Sequence, residues 1–248
     1  MMSGFMPAVA AEVFDLRPDY SAVSVIANGL VNLAHHPAVD RYVEDTVAHK
    51  VQPPWTEGHL EAWRTTFRAF GAKPQRTPCS ADALLMRLSK DGRLPTINAV
   101  VDLYNAISIR YAIPIGGENI AAYVGSPRLM RASGAQPFDT MKAGELLTET
   151  VPAGEVVWAD TRGVTCRRWN WRQGIRTRID VQTRQAWFVL ERLEPMSPAA
   201  TMEAAGSLMA TLRLMSPGVE LSVHLTDRSG TSGISPVPLA GVNSSPWI

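Results

Sequence analysis

The sequence predicts an α+β fold, mixed sheets with packed helices, and two observations carry that expectation. Short runs rich in β-branched and aromatic residues, at Val156 to Asp160, Val164 to Trp169, Ala186 to Leu190 and Val219 to Leu225, read as strands. Longer stretches with apolar residues at helical spacing read as helices that pack on them. At 248 residues, 46% hydrophobic and 19% charged, the chain can bury a sizeable core as one domain.

In chain order, Glu12 to Asn32 alternates well enough for one or two strands, with Arg17-Pro18-Asp19-Tyr20 as the turn between them. Thr56 is placed to cap a helix from Glu57 to Phe70, ended by Gly71, with Leu60, Trp63, Phe67 and Phe70 on its apolar stripe. Ser80 likewise precedes a helix from Ala81 to Leu88, in which Leu84, Leu85 and Leu88 pack. Ala99 to Arg110 reads as a buried helix, followed by a Pro-Ile-Gly-Gly-Glu-Asn turn at 114–119. Val156 to Asp160 and Val164 to Trp169 form a hairpin about Thr161-Arg162-Gly163. Pro198 opens the way to a helix from Ala199 to Met215, and Val219 to Leu225 is the last strand. One domain over 1–226 is expected, and the Gly-, Ser- and Pro-rich residues 227–248 read as a tail.

Two segments concentrate polar chemistry. Asn105 and Ser108, three apart, share one face of the 99–110 helix, and buried polar groups of this kind either brace a loop or face a ligand. Gly116 and Gly117 would then lie above them, allowing close backbone approach and leaving amides free to donate. The second segment, Trp169-Asn170-Trp171-Arg172-Gln173-Gly174, combines aromatic faces, amides and a guanidinium. It reads either as a hairpin end whose tryptophans cap the core or as a site for a planar polar ligand. On the second reading Arg172 and Gln173 touch the ligand, while strand alternation sends Arg176 and Arg178 outward.

The remaining features bound the function. A net charge of +1 is not the footprint of a strong nucleic-acid binder. Arg162, Arg167, Arg168, Arg172, Arg176, Arg178 and Arg184 nevertheless gather in one region, which is either a place for phosphates or an ordinary solvated face. Cys79 and Cys166 are too few for a disulfide framework or a tetrahedral metal site, and neither metal nor cofactor is expected. His35, His36, His49 and His59 read as surface or capping residues, and His224 as one face of a strand. The first twenty residues lack the pattern of a signal peptide, no stretch approaches the roughly twenty apolar residues of a membrane span, and the cytoplasm follows as the default location.

The order VVDLYNAISIRYAIPIGGEN, then VVWAD, a polar turn and a final FVLE strand resembles the editing domain of the phenylalanyl-tRNA synthetase beta chain, the B3/B4 tRNA-binding domain, and more closely its stand-alone relatives. The resemblance is strongest over 63–191 and rests on Val101-Asp102, Asn105, Ser108, Pro114, Gly116-Gly117 and Asn170-Trp171-Arg172-Gln173. It implies an α+β pocket that hydrolyses a mischarged aminoacyl ester on tRNA, with Asn105, Ser108, Gly116, Gly117, Glu118, Asn170, Trp171, Arg172, Gln173 and Thr177 binding the substrate. The chain departs from the family at two places: Gly116 stands where the family has a histidine, and Gln173 or Thr177 stands nearest to its acidic pocket residue. Three classes therefore compete, with no catalytic residue assigned. They are an aminoacyl-tRNA deacylase or tRNA-associated factor, a non-catalytic module for a free amino acid or similar small polar ligand, and a structural protein.

Overall fold

Residues 4–48 and 51–234 are described by a computed structural model. Its elements are β1 (Ala8–Val9), α1 (Ala11–Leu16), β2 (Ser21–Asn28), α2 (Pro37–Ala48), α3 (Thr56–Ala69), α4 (Ser80–Asp91), α5 (Ala99–Tyr111), β3 (Ile115–Asn119) and β4 (Arg128–Arg131). Then follow β5 (Pro137–Lys142), β6 (Glu145–Thr150), β7 (Val156–Ala159), β8 (Val164–Arg167), β9 (Arg172–Gln173), β10 (Gln185–Arg192), α6 (Pro198–Met215), β11 (Glu220–Asp227) and β12 (Gly230–Ile234).

The helices and strands build two sheets. An antiparallel five-stranded sheet runs β12-β11-β2-β10-β3. The second runs β1-β4-β7-β8-β5-β6, with β9 joined to β8, and it is mixed because β1 with β4 and β5 with β8 pair in parallel. Period-2 alternation gives the five-stranded sheet two apolar faces. Val23, Val25, Phe188 and Leu190 face α5 and α6 through Leu103, Ile107, Leu208 and Leu212. Ala22, Trp187 and Val189 face α3 and the mixed sheet through Leu60, Trp63, Phe67, Trp158 and Trp169. β10 is thus buried on both sides, which is why its sequence is a nearly continuous apolar run.

Several expected elements take another form. Residues 12–16 form α1 rather than a strand, burying the adjacent pair Val13 and Phe14, and β2 alone carries the alternation. Thr56 and Ser80 are the first residues inside α3 and α4; Trp55 and Cys79 hold the cap positions, with no side-chain cap bond. The glycine-rich 115–119 is strand β3, paired with β10 through Gly116 opposite Val189 and Gly117 opposite Phe188. Its glycines answer a packing need, since a Cβ on Gly117 would stand 2.7 Å from Cε1 of Tyr104. Part of the expected tail is strand β12, which returns along β11 after a turn at Gly230 (φ 123°); residues 235–248 lie outside the described residues.

His59, expected at the surface, is fully buried. Its Nε2 accepts from Trp63 Nε1 at 3.1 Å and from the Leu193 amide at 3.2 Å, so Nδ1 carries the proton and donates to the Ala112 carbonyl at 2.8 Å. Burial holds its pKa down at about 4. His49 lies outside the described residues.

Candidate functional site: an acidic pocket between the sheets

Where the two sheets meet under the start of α4, a cavity of about 160 Å³ is lined by residues of seven elements and the hairpin end. The five-stranded sheet supplies Gly116, Glu118, Val189 and Glu191, α5 supplies Tyr104 and Asn105, and the mixed sheet supplies Trp158, Cys166 and Gln173. Trp169, Asn170 and Trp171 close it from the hairpin end, and Ser80 from α4.

Glu191 is the organising group. It lies on the same face of β10 as Trp187 and Val189 and is almost wholly buried. Its Oε1 accepts from the Tyr20 hydroxyl at 2.8 Å, Trp169 Nε1 at 3.1 Å and Trp158 Nε1 at 3.2 Å. Its Oε2 accepts from Asn170 Nδ2 at 2.9 Å. All four donors are neutral. Desolvation outweighs them and raises the Glu191 pKa to about 7. Glu118, on β3 opposite Trp187, is likewise buried and accepts from the Tyr123 hydroxyl; desolvation raises its pKa to about 7 as well.

Local strain serves this arrangement. Arg168 and Trp169 have positive φ values of 48° and 67°, a left-handed conformation costly for side chains of this size. The bend turns the Trp169 ring into the core and delivers its indole N–H, with the Asn170 amide, to Glu191. Before the bend, Arg167 is pinned by Glu155 through two bonds of 2.8 Å.

The structure brings together Asn105, Gly116, Glu118, Asn170, Trp171 and Gln173 among the residues expected at the site. Ser108 is fully buried away from it, donating to the Ile113 carbonyl at 2.6 Å, so it braces the end of α5. Gly117 and Thr177 are not in the lining; both carbonyls accept from the Gln173 side chain, at 2.9 and 3.3 Å. Arg172 is exposed and donates to the Met141 carbonyl. The Gly116 amide is not the free donor that a turn would leave: Gly117 O and the Asn119 amide bond outward from β3, so alternation points Gly116 inward, opposite Val189. Arg176 does not project outward: it lies in the irregular stretch between β9 and β10, is paired with Asp160 at 2.8 Å and donates to the Ala122 carbonyl at 2.7 Å.

Sequence reasoning missed Glu191, Trp158, Tyr104 and Ser80. A usable signal existed for Glu191: a carboxylate at the end of an apolar strand, in register with Trp187 and Val189, has to find partners inside. Among the described residues no three or more His, Cys, Asp or Glu side chains gather as a metal cage would require.

Beside the pocket lies a second cavity of about 210 Å³, lined by Gly71, Ala72, Lys73, Arg76, Thr77 and Arg168. Lys73 and Arg76 are exposed and, among the described residues, make no salt bridge; Arg168 is 3.5 Å from Glu155. The Arg168 guanidinium also stacks over the Trp171 ring, 4.4 Å from its centroid, with Arg172 at 5.8 Å. Trp171 therefore joins the acidic pocket to the cationic cleft.

Fold and pocket together define an α+β domain built around a small buried acidic site. Residues 62–212 match the B3/4 domain, and the chain belongs to that family. Among solved structures it is similar to an N-terminal fragment of the phenylalanyl-tRNA synthetase beta-subunit from Pyrococcus horikoshii, at 12% identity and a TM-score of 0.51. The likeness covers 94% of this chain and 55% of that one, so the chain spans about half the length of the fragment. No curated protein matches the sequence. No helix among the described residues is long and apolar enough to cross a membrane.

Proposed function

We propose that this domain binds the aminoacylated end of a tRNA and hydrolyses the ester. The aminoacyl group enters the acidic pocket, and the adjoining phosphates lie on the cleft of Lys73, Arg76 and Arg168. The observation that carries this reading is the Arg168–Trp171 stack, in which one residue of the pocket wall supports one residue of the cationic cleft. A pocket alone would suit a free amino acid. A pocket opening beside two cations without a salt bridge among the described residues, Lys73 and Arg76, suits an amino acid attached to a phosphodiester chain, whose unstacked terminal base finds planar faces on Trp171 and its arginines.

For the chemistry, the lining offers, among the described residues, no nucleophile with a paired base. Burial, reinforced by Glu118 and Glu191, pushes the Cys166 thiol pKa well up, which disfavours a thiolate. Water is the attacking group in this reading. It adds to the ester carbonyl and gives its proton to Glu118, whose pKa of about 7 suits a general base at neutral pH. The carbon–oxygen bond to the ribose then breaks, and the ribose oxygen leaves with the proton that Glu118 took from the water. The departure of Gly116 from the family's histidine is consistent with a base carried by β3 at the next residue but one.

A deacylation screen across mischarged tRNAs tests this directly. At least one should lose its amino acid faster than without protein, and Glu118→Gln should slow that release by roughly 100-fold or more. The absence of a nucleophile–base pair also supports a second reading, a non-catalytic module for an amino-acid-like ligand; tight binding with no release from any charged tRNA would favour it.

A further inference from the structure

We infer that the pocket captures its ligand through a protonated amine seated between Glu191 and Asn170. This deepens the reading of the cavity as an aminoacyl site and rests on it.

Most of the polar groups in the lining with bonding capacity to spare are acceptors; Asn105 and the Tyr104 hydroxyl add two groups that can also donate. Glu118 and Glu191 are carboxyls. Asn170 is more than nine-tenths buried, and its Oδ1 has no partner. With Glu191 ionised, its carboxylate accepts and so faces Asn170 Nδ2, which leaves Oδ1 to the cavity. Gln173 has its amide nitrogen committed to two backbone carbonyls. The indole N–H groups of Trp158 and Trp169 are spent on Glu191. Ser80 Oγ, also buried and unpartnered, can accept or donate. A ligand that satisfies this set must be rich in donors.

It must also be positive. Among the described residues, no Lys, Arg or His lines the cavity. Arg192 follows Glu191 directly, but alternation along β10 places it on the opposite face, and Arg176 is held by Asp160. Glu191 Oε2 accepts one bond where Oε1 accepts three, leaving capacity beside the orphan Asn170 carbonyl. An ammonium placed there bridges the two acceptors, and the rings of Tyr104, Trp158, Trp169 and Trp171 favour a cation further. The same acidic lining repels a free carboxylate, which an aminoacyl ester lacks. The amine has two sources, the α-amine of any aminoacyl group or the side chain of a basic one.

The test uses the intact protein and non-hydrolysable 3′-amide conjugates of adenosine with norleucine, N-acetylnorleucine and lysine, with free lysine and lysine methyl ester beside them. If the α-amine is the anchor, acetylation should weaken binding roughly 10- to 100-fold, with lysine and norleucine equal. If a basic side chain is the anchor, the lysine conjugate should bind more tightly than norleucine by a similar factor and acetylation should matter little. Either pattern supports the inference. Equal binding of all three conjugates overturns it while leaving an RNA-dependent site intact. Lysine methyl ester binding as well as the adenosine conjugate, and both better than free lysine, would uphold the amine site and sink the tRNA reading instead. Glu191→Gln should abolish the preference; should it fail to fold, Asn170→Ala should weaken the same preference, and a preference unchanged in a folded variant of either kind counts against the inference.

Discussion

At the scale of the residue, the two buried glutamates dominate. Both have folded pKa values of about 7 against an ordinary 4.5. A carboxyl whose pKa rises on folding is protonated in the native state when the unfolded chain has already released its proton. Its contribution to stability is therefore greatest below about pH 4.5 and falls as pH rises to about 7. His59 acts in the opposite sense: with its pKa held at about 4, the fold loses stability as pH falls from 6.5 towards 4. The groups facing Glu118 are Tyr123, Thr177, Thr165 and, more distantly, Arg176. Denaturation of wild type and Glu118→Gln at pH 6.5 and pH 8 should show a drop in wild-type stability over that interval and a smaller drop in the variant. Equal slopes would mean that Glu118 is ionised throughout.

The adjacent glycines provide a second contrast at this scale. Gly117→Ala forces a Cβ to within 2.7 Å of Tyr104 and 3.1 Å of Ile179, and should cost about 1–3 kcal/mol of unfolding free energy. Gly116→Ala meets only Val189, at 3.3 Å, and should fold nearly as well while narrowing the pocket and weakening ligand binding. Denaturation midpoints and ligand titrations of the pair would separate the roles. The sequence pointed to these glycines and to Asn105, Glu118, Asn170 and Gln173, because polar groups in apolar surroundings stand out in one dimension. Ser108 shows the limit: its helical spacing from Asn105 is the same whether its hydroxyl turns to a ligand or, as found, to the Ile113 carbonyl.

At the scale of the element, β10 and the hairpin end decide the site. β10 was legible because an apolar run of that length has few alternatives. Its partner β3 was not, since glycines that make room for Tyr104 look in sequence like glycines that make a turn. The left-handed pair Arg168–Trp169 was equally invisible, because neither residue favours positive φ; the tertiary bonds to Glu191 and Val156 impose it. His59 ties α3 to the end of α5 and to the residue after β10 through three buried bonds. His59→Ala would orphan all three partners and should cost about 2–4 kcal/mol, read as a lower denaturation midpoint with an unchanged slope. A loss below 0.5 kcal/mol would show that water or a rearranged Trp63 replaces the ring.

At the scale of the whole molecule, a net charge of +1 conceals a division of labour. Two arginines of the 162–184 region are committed to close ion pairs within the fold: Arg167 to Glu155 and Glu149, and Arg176 to Asp160. The cations left for a ligand are fewer and lie partly elsewhere, on the loop between α3 and α4, and come together with Arg168 only in the fold. That juxtaposition could not be read from the chain, which separates Arg76 from Arg168 by α4, α5 and the strands from β3 to β8. It also sets the scale of electrostatics: two or three phosphate contacts give a shallow dependence on salt.

The most direct test of the tRNA reading is a binding titration of aminoacylated and deacylated forms of one tRNA at two salt concentrations, with wild type and a Lys73→Glu/Arg76→Glu variant. The charged tRNA should bind more tightly than the uncharged, the affinity of both should fall modestly with salt, and the double variant should lose roughly 10-fold or more of its affinity for each together with most of that salt dependence. Equal affinity for charged and uncharged tRNA, with no effect of the double substitution, would contradict the assignment of pocket and cleft to one ligand.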